Sequence, residues 1–205
     1  MARDTRSIVK LSRREGYALH PKAHKALAKR TTMPGQAANA RMRNKPSQYS
    51  LQLREKQKVK RLYGLLEKQF SNLMAEASRT KGQSGAALLQ YLEQRMDNAV
   101  YRAGFASSRR AARQLVTHGH FMLNGRRVDI PSIRLRIGDE ITLREHSKGS
   151  EYFKKLDEVS PAPSTTPAWL NIDRKKTAVK VTGLPVREDA EPEINEQLIV
   201  EYYSR

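Results

Sequence analysis

Apolar residues in the first half of the chain have the spacing of helices. Between residues 47 and 80 they recur at every third or fourth position, namely at Val59, Leu62, Leu66, Phe70, Leu73 and Ala77. This period predicts one long amphipathic helix with a single buried face. Gly82 and Gly85 interrupt the pattern, and a second helical run follows over residues 86–103.

The stretch SSRRAARQLVTHGHFMLNGRRVDI, residues 107–130, changes from a helical period to an alternating one. Gly119 can end the short helix in the left-handed conformation that glycine adopts readily. Asn124-Gly125 between two apolar runs is the strongest local signal for a two-residue hairpin. Apolar residues alternate again over residues 133–143. These patterns predict a small antiparallel sheet packed with two to three helices, and hence an α+β fold.

The C-terminal part begins with SPAPSTTP, residues 160–167, a proline- and serine-rich linker without periodicity. WLNID, residues 169–173, has the composition of a strand. PEINEQLIVEYYSR, residues 192–205, predicts a closing helix that is entered through Pro192. Because the chain is nearly neutral from residue 148 onward, we expect this part to complete a core.

Basic residues dominate the charge of the chain and change the picture of its N-terminal part. The 205 residues have a formal net charge of +18, and residues 1–81 hold 20 Lys plus Arg against 5 Asp plus Glu. Residues 1–46 contain few apolar side chains, so burial cannot offset their ordering entropy. We therefore predict a basic N-terminal extension that is ordered by its partner, with a disordered solubilising tail as the alternative.

A chain this basic favours nucleic acid as the partner, because each phosphate contact releases condensed counterions. An acidic membrane is the second candidate. Against it, no apolar run approaches the roughly 18 residues of a spanning helix. The first ten residues, MARDTRSIVK, also lack the apolar stretch of a signal peptide. We expect a cytoplasmic protein with no membrane partner.

Catalytic and metal chemistry find little support in the residues. The chain has no cysteine, which excludes disulfides, thiolate zinc sites and cysteine nucleophiles. His118 with His120, and His20 with His24, lack further ligands, so no metal is expected. Asp97 is interpreted as an orienting partner of Arg95 and Arg102 and not as a catalytic acid. With no phosphate-binding glycine loop and no nucleophile elbow, we expect no enzyme, no cofactor and no small-molecule substrate.

Two clusters of basic residues are candidate binding faces. On a helical projection Arg109, Arg110 and Arg113 share one arc, opposite an apolar arc. Basic side chains within residues 54–61 repel one another at same-face spacings, with only Glu55 to compensate, and an external anion would relieve the repulsion. A solvated charged face is the alternative reading of this second cluster.

Residues 92–143 resemble the small RNA-binding module named after ribosomal protein S-four. Their sequence is LEQRMDNAVYRAGFASSRRAARQLVTHGHFMLNGRRVDIPSIRLRIGDEITL. The module also occurs in pseudouridine synthases, in a bacterial tyrosyl-tRNA synthetase and in a stress protein that binds ribosomes. Four further segments are similar to the bacterial S-four family of small-subunit ribosomal proteins: KLSRREG at 10–16, PGQ at 34–36, QLREKQKVKRLYG at 52–64 and INEQLIVEYYS at 194–204.

The resemblance implies three structural parts and a function. Residues 1–46 would form the basic extension, residues 47–91 plus 160–205 a helical ribosomal-protein domain, and residues 92–159 the inserted RNA-binding domain. The protein would be a structural constituent of the small ribosomal subunit that binds the 5′ domain of its ribosomal RNA early in assembly. Its contacts would be to phosphates and to RNA shape, because an A-form helix hides its base edges.

Positions that match the family imply RNA-binding residues in all three parts. In the module they are Arg95, Arg102, Arg109, Arg110, Arg113, His118, Asn124, Arg126 and Arg127. On the long helix they are Arg54, Lys56, Lys58, Lys60 and Arg61. In the extension they are Arg13 and Arg14.

The resemblance also implies two finer roles. The family lines the channel through which messenger RNA enters the subunit, and it touches ribosomal protein S-five at an interface that affects decoding accuracy. Arg41, Arg43 and Lys45 fall where the channel residues would lie, although the family's PGQHG continues here as PGQAANARMRN. Many relatives carry a four-cysteine zinc site in the extension, which a chain without cysteine cannot form.

An RNA-modifying enzyme or accessory factor, similar to a pseudouridine synthase and using the same module, is the alternative. Such an enzyme needs a separate catalytic domain, and the 62 residues after Leu143 are too few to build one. A DNA-binding protein is less favoured, because the sequence has no dimerising heptads and no finger spacing.

Overall fold

The computed structural model describes residues 4–30, 32–35, 45–163 and 165–204. The chain divides into two compact units, which we call unit 1 (Met1–Leu88 with Pro192–Arg205) and unit 2 (Leu89–Glu191). None of the helices among these described residues has both the length and the hydropathy of a membrane span.

The helices and strands follow one another in the order expected of an α+β protein. The helices are α1 (Ile8–Glu15), α2 (His24–Lys29), α3 (Gln48–Leu62), α4 (Glu67–Arg79), α5 (Ser84–Glu93), α6 (Met96–Arg102), α7 (Arg109–Thr117), α8 (Glu145–Lys148), α9 (Glu151–Lys154), α10 (Leu156–Val159) and α11 (Glu196–Tyr203). The strands are β1 (Phe121–Leu123), β2 (Arg126–Val128), β3 (Glu140–Leu143), β4 (Leu170–Asp173) and β5 (Ala178–Val181). Short 3₁₀ turns lie at Pro21–Ala23 and Arg187–Asp189.

Unit 1 is helical, and α3 is its central element. Helices α1 and α11 both pack against α3. Ser47 caps α3, because its side chain accepts a hydrogen bond from the backbone N–H of Ser50. Val59, Phe70 and Ile199 are completely buried and contribute to the core of the unit.

The single long helix predicted over residues 47–80 is wrong, because two helices occupy that segment. Gly64 has a φ of 68° and follows the end of α3, in a conformation that favours glycine. Beside it, the N–H of Leu65 donates to the carbonyl of Lys60 at 3.0 Å. Val59 and Phe70 are nevertheless both fully buried, and this explains why the apolar period continues across the break.

Unit 2 contains a five-stranded antiparallel sheet in the order β2-β1-β3-β5-β4. The predicted hairpin is confirmed: Asn124 and Gly125 have φ values of 49° and 77°, as a two-residue type I′ turn requires. Phe121 and Ile141 are fully buried in one apolar core with residues of α6 and α7. The α+β prediction is confirmed.

The strand predicted over residues 133–137 does not form, although all five residues are described. Their only ladder contact is an isolated bridge between Arg95 and Arg134. The N–H of Met96 donates to the carbonyl of Ile133, and that of Leu135 to the carbonyl of Gln94, both at 2.9 Å. The segment therefore pairs with the connection between α5 and α6.

The unit boundaries differ from the expected domains at the C-terminal side. Residues 160–205 were expected in the helical domain, but β5 pairs with β3 and thereby joins β4 and β5 to the sheet of unit 2. Leu170, Val179 and Val181 are buried in the same core as Phe121. Only Pro192–Arg205 returns to unit 1. Strands β4 and β5 stay in unit 2 because β5 pairs with β3 and because both strands contribute buried side chains to its core.

Gly104 tests how tightly unit 2 is packed around one backbone position. Its φ is 75°, and an added Cβ would lie 2.5 Å from Cδ of Pro163. We expect Gly104→Ala to lower the free energy of unfolding by about 3 kcal/mol, from backbone strain and overpacking together. Gly125→Ala is the matched control, because Gly125 has a similar φ of 77° with no atom within 4 Å. It should cost only about 1 kcal/mol in urea unfolding, and equal losses for the two variants would contradict the packing argument.

Candidate nucleic-acid interface

Asp97 holds two of the arginines predicted to bind RNA. Arg95 forms a two-bond pair with Asp97, with Nε–Oδ1 and Nη2–Oδ2 distances of 3.0 and 2.8 Å. Nη1 of Arg113 lies 3.3 Å from the same Oδ2. The side chains of Arg95 and Asp97 are each 6% exposed. The expectation that Asp97 orients Arg95 is confirmed, but the expectation for Arg102 is wrong, because Arg102 pairs with Glu93 and Arg113 takes its place at Asp97.

Glu93 is the second centre of this cluster, and it is completely buried. Its carboxylate accepts two hydrogen bonds from Arg102, at 3.0 and 2.9 Å, and one from the amide of Asn98 at 2.7 Å. Arg109 donates to Oδ1 of Asn98 at 2.9 Å and to Glu191 at 3.0 Å. We call Arg95, Arg102, Arg109 and Arg113 with their three carboxylates the arginine network.

The arginine network has a structural consequence for the predicted sites. Buried and half-buried charges require partners, because desolvation penalises an unpaired ion strongly. Glu93, Asp97 and Glu191 therefore offset most of the charge of the four arginines. Arg109 also lies over the ring of Tyr101, with 4.7 Å from Cζ to the ring centroid. These arginines fix α6 and α7 together, and their role in RNA binding stays a prediction.

A different set of predicted residues is exposed at the surface of unit 2. These residues, which we call the cationic edge, are Arg110, His118, Arg126 and Arg127. Arg110 and His118 lie on one exposed arc of α7 and its C-terminal end, and the two arginines lie on the edge strand β2.

Arg127 connects β2 with the end of α7. A Cβ built on Gly119 would lie 2.6 Å from Nε of Arg127, so the guanidinium lies against the glycine backbone. Gly119 has a φ of 71° and follows the C-terminal end of α7, where unpaired carbonyls favour a cation. The glycine is required twice, for its conformation and for this close approach.

Asn124, also predicted to bind RNA, holds the hairpin in place. Its Nδ2 donates to Oδ1 of Asp139 at 2.8 Å, and its Oδ1 accepts from the N–H of Glu140 at 2.9 Å. Both hydrogen bonds join the β1–β2 turn to the start of β3. Asn124 therefore positions the strand that carries Arg126 and Arg127.

The basic residues of α3 have more acidic partners than their own segment supplies. Glu15 on α1 contacts both Arg54 and Arg61, and its side chain is fully buried. Burial raises the pKa of Glu15, although the two arginines oppose the shift. The expectation that only Glu55 compensates this cluster is wrong, because the fold brings a carboxylate from another helix.

Glu67 at the start of α4 neutralises the other part of the cluster. Its two carboxylate oxygens accept from Nζ of Lys56 at 2.6 Å and from Nζ of Lys60 at 2.7 Å. Burial alone would raise the pKa of Glu67, but the two lysine hydrogen bonds lower it to about 2. Tyr203 of α11 also donates to Glu67, at 3.1 Å. Burial, together with this carboxylate, raises the pKa of the Tyr203 hydroxyl.

Lys58 also has partners inside unit 1. Its Nζ lies 2.8 Å from Oε1 of Glu55 and donates to the carbonyl of Glu193 at 2.8 Å. The same oxygen of Glu55 accepts from the N–H of Asn195 just before α11. The predicted RNA-binding side chains of α3 thus hold helices of unit 1 together, and their contact with RNA stays a prediction.

The N-terminal candidates are spread over different environments. Arg13 donates to the carbonyl of Thr32 from Nε and Nη2, at 3.2 and 3.0 Å, and so attaches that segment to α1. Arg14 and Lys45 are exposed. Arg41 and Arg43 lie outside the described residues.

Histidine and acidic side chains form no metal site in the part of the chain that the structure describes, where no three such residues come together. Nδ1 of His20 accepts from the N–H of Lys22 at 3.0 Å. Nδ1 of His120 lies 3.0 Å from Oγ of Ser147. Burial, with His118 and Arg144 nearby, lowers the pKa of His120.

Comparison with known proteins identifies the family. The sequence model described as ribosomal protein S4/S9 N-terminal domain matches residues 3–93, and the model described as S4 domain matches residues 94–141. The chain is 48% identical to small ribosomal subunit protein uS4 of Roseiflexus castenholzii and 49% identical to that of Clostridioides difficile. It is 50% identical to uS4A of Alkaliphilus oremlandii, and each alignment covers 100% of both chains. The chain belongs to the uS4 family.

Membership of the uS4 family confirms the resemblance drawn from the sequence. These relatives are proteins of the bacterial small ribosomal subunit, so the cytoplasmic location follows from the family. The S4 domain match ends at residue 141, inside β3. Strands β4 and β5, which complete the sheet, therefore lie beyond the matched module.

The carboxylates are the functional residues that sequence reasoning missed. Glu15, Glu67 and Glu93 each hold two cationic side chains, and Glu15 and Glu67 are isolated acids among basic residues in the sequence. For Glu15 and Glu67 this isolation was the available signal, since a lone acid among many bases tends to be paired; no such signal marks Glu93 in the sequence. Which bases each acid holds depends on tertiary contacts.

Glu67 should make the free energy of unfolding depend on pH in the acidic range. In the folded state the pKa of Glu67 is about 2, below the ordinary value near 4.3. Its stabilisation is therefore complete above the ordinary pKa and is lost as the pH falls from about 4.3 toward 2. Because the side chain is 49% exposed, solvent screening limits the size of this contribution. Glu67→Gln should flatten the fall in unfolding free energy over this range, whereas the exposed Glu188→Gln should leave the slope unchanged.

Substitution of Asp97 should lower stability more than substitution of Arg113. Asp97→Asn leaves Arg95 buried without a carboxylate, so the free energy of unfolding should fall by about 3 kcal/mol. Arg113→Ala should cost only about 1 kcal/mol, because Asp97 keeps its pair with Arg95. Urea unfolding measures both, with Glu188→Gln as the surface control. A loss for Asp97→Asn no greater than that of the control would show that the network is dispensable for folding.

Proposed function

We propose that the chain is a structural, non-enzymatic constituent of the small ribosomal subunit that binds the 5′ domain of small-subunit ribosomal RNA during early assembly. Membership of the uS4 family supports the assignment of the chain to the small ribosomal subunit. The cationic edge supports binding to RNA phosphates, because its exposed side chains lie on α7 and on the edge strand β2. Phosphates of an irregular RNA junction fit such a surface, and RNA of this kind is recognised through backbone and shape.

Two groups of cations have different tasks in this proposal. The arginine network fixes the geometry of α6 and α7, and its carboxylates reduce the charge it offers to RNA. The cationic edge, above all Arg126 and Arg127, carries the phosphate contacts. Asn124 holds their strand through Asp139 and the N–H of Glu140.

The finer roles belong to the same proposal. Arg41, Arg43 and Lys45 would face messenger RNA near the channel through which it enters the subunit. A contact with ribosomal protein S-five would connect the chain to decoding accuracy. The resemblance of the sequence to the family supports both roles.

An enzyme of the pseudouridine-synthase kind is less well supported. Of the described residues after 143, those up to Glu191 fall in unit 2 and the remainder in unit 1. These residues therefore belong to the two units and do not form a separate catalytic domain.

Competition binding tests the proposed function. The purified protein is titrated with a transcript of the small-subunit 5′ domain, with scrambled RNA of equal length and duplex DNA as competitors, across a salt series. We expect binding of the transcript to survive both competitors at physiological salt. Displacement of the transcript by equal amounts of scrambled RNA or duplex DNA would show that the chain acts only as a generic polycation.

Arg126 and Arg127 carry the corresponding mutational prediction. Arg126→Gln with Arg127→Gln should weaken transcript binding roughly tenfold and flatten the salt slope by about 1.5, because two phosphate contacts are lost. Lys68→Gln with Lys81→Gln is the charge-matched control at exposed positions of unit 1. The prediction fails if the control weakens binding as much as the double arginine variant.

A further inference from the structure

The turn between β4 and β5, residues 174–177, is a second cationic feature of unit 2. In the strand order β2-β1-β3-β5-β4, strand β4 is the edge opposite to β2. Four interstrand spacings separate these edges, a distance of about 19 Å. Pairing of Asp173 with Ala178 places the turn at the end of the sheet that holds Phe121. The Asn124-Gly125 turn lies at the other end.

Arg174 anchors the turn to the body of unit 2. Its Nη1 donates to the carbonyl of Gly104 at 3.0 Å. Its Nη2 donates to Oδ1 of Asp157 at 2.8 Å and to the carbonyl of Ser160 at 2.7 Å. The guanidinium of Arg174 is therefore committed to internal partners, and it fixes the base of the turn.

Backbone contacts fix the rest of the turn. Oδ1 of Asp173 accepts from the N–H of Lys176 at 3.1 Å, and the N–H of Thr177 donates to the carbonyl of Arg174 at 3.2 Å. Thr177 has a φ of 51°, which is costly for a β-branched residue. Such strain is retained where the surrounding structure determines the conformation, and it is often found at functional sites.

Lys175 and Lys176 form the tip of this rigid turn and are both exposed. The side chain of Lys176 is 83% exposed, and its nearest acidic atom, Oδ2 of Asp173, is 3.9 Å away. An ion pair at that distance on the surface is weak and screened by salt. The two ammonium groups thus keep their charge for an external anion, unlike the arginine network.

We propose that the β4–β5 turn is a second contact of unit 2 for the phosphate backbone of RNA. The inference rests on the proposed function and adds a surface to it. Because this turn and the cationic edge lie on opposite edges of one sheet, they contact separate RNA segments. Unit 2 then joins two segments of a folded RNA, as a junction provides.

Binding of the 5′-domain transcript by the full-length chain tests this surface. Lys175→Gln with Lys176→Gln should weaken binding roughly tenfold and flatten the salt slope by about 1.5. Combination with Arg126→Gln and Arg127→Gln should multiply the two losses, because separate contacts act independently. Lys68→Gln with Lys81→Gln again controls for net charge, and an unchanged thermal midpoint controls for folding.

Hydroxyl-radical footprinting of the bound transcript separates the two contacts. The wild type should protect two RNA segments, the Lys175 and Lys176 variant should lose one of them, and the Arg126 and Arg127 variant should lose the other. Wild-type affinity and footprint in the lysine variant, or losses equal to those of the control, would overturn the second contact alone. If the wild type does not prefer the transcript over scrambled RNA, the proposed function fails and the second contact fails with it.

Discussion

The carboxylate of Glu93 is the interaction on which the geometry of unit 2 depends. It is completely buried, and it accepts from Arg102 and Asn98 while lying 4.0 Å from Arg109. A buried carboxylate without such partners would carry a large desolvation penalty, so the helices must bring these donors to it. The ends of α5, α6 and α7 are therefore placed by one acid, and Asp97 in the first turn of α6 holds Arg95 and Arg113 in the same way.

The same principle organises unit 1 through different residues. Glu15 holds two arginines of α3, and Glu67 holds two lysines of α3 together with Tyr203 of α11. Residues 1–81 hold only 5 acids against 20 bases, and Glu15 and Glu67 are placed where cations would otherwise repel one another. The pairing allows basic side chains to be half-buried within a fold of modest core.

Internal pairing also decides which cations remain for a polyanion. Side chains of the arginine network are held by carboxylates, whereas Arg126, Arg127, Lys175 and Lys176 are exposed at opposite edges of the sheet. A folded RNA presents phosphates in several directions, and two fixed cationic edges suit such a ligand better than one continuous patch. Net charge alone indicates the class of partner, but the arrangement of unpaired charge gives the surface its direction.

Features that depend on local chemistry could be predicted from the sequence. The Asn124-Gly125 hairpin, the α+β class, the strand at WLNID and the family resemblance followed from patterns within short stretches, because turn and periodicity rules act over a few residues. The break at Gly64 is also local, but the apolar period continues across it and conceals it. The folded structure was needed to show that β4 and β5 join the sheet of unit 2, and that Glu15, Glu67 and Glu93 hold the predicted RNA-binding cations. These outcomes depend on contacts between residues far apart in the chain, such as Arg61 with Glu15 or β5 with β3, and no local pattern specifies which distant partner a charge or a strand edge will meet.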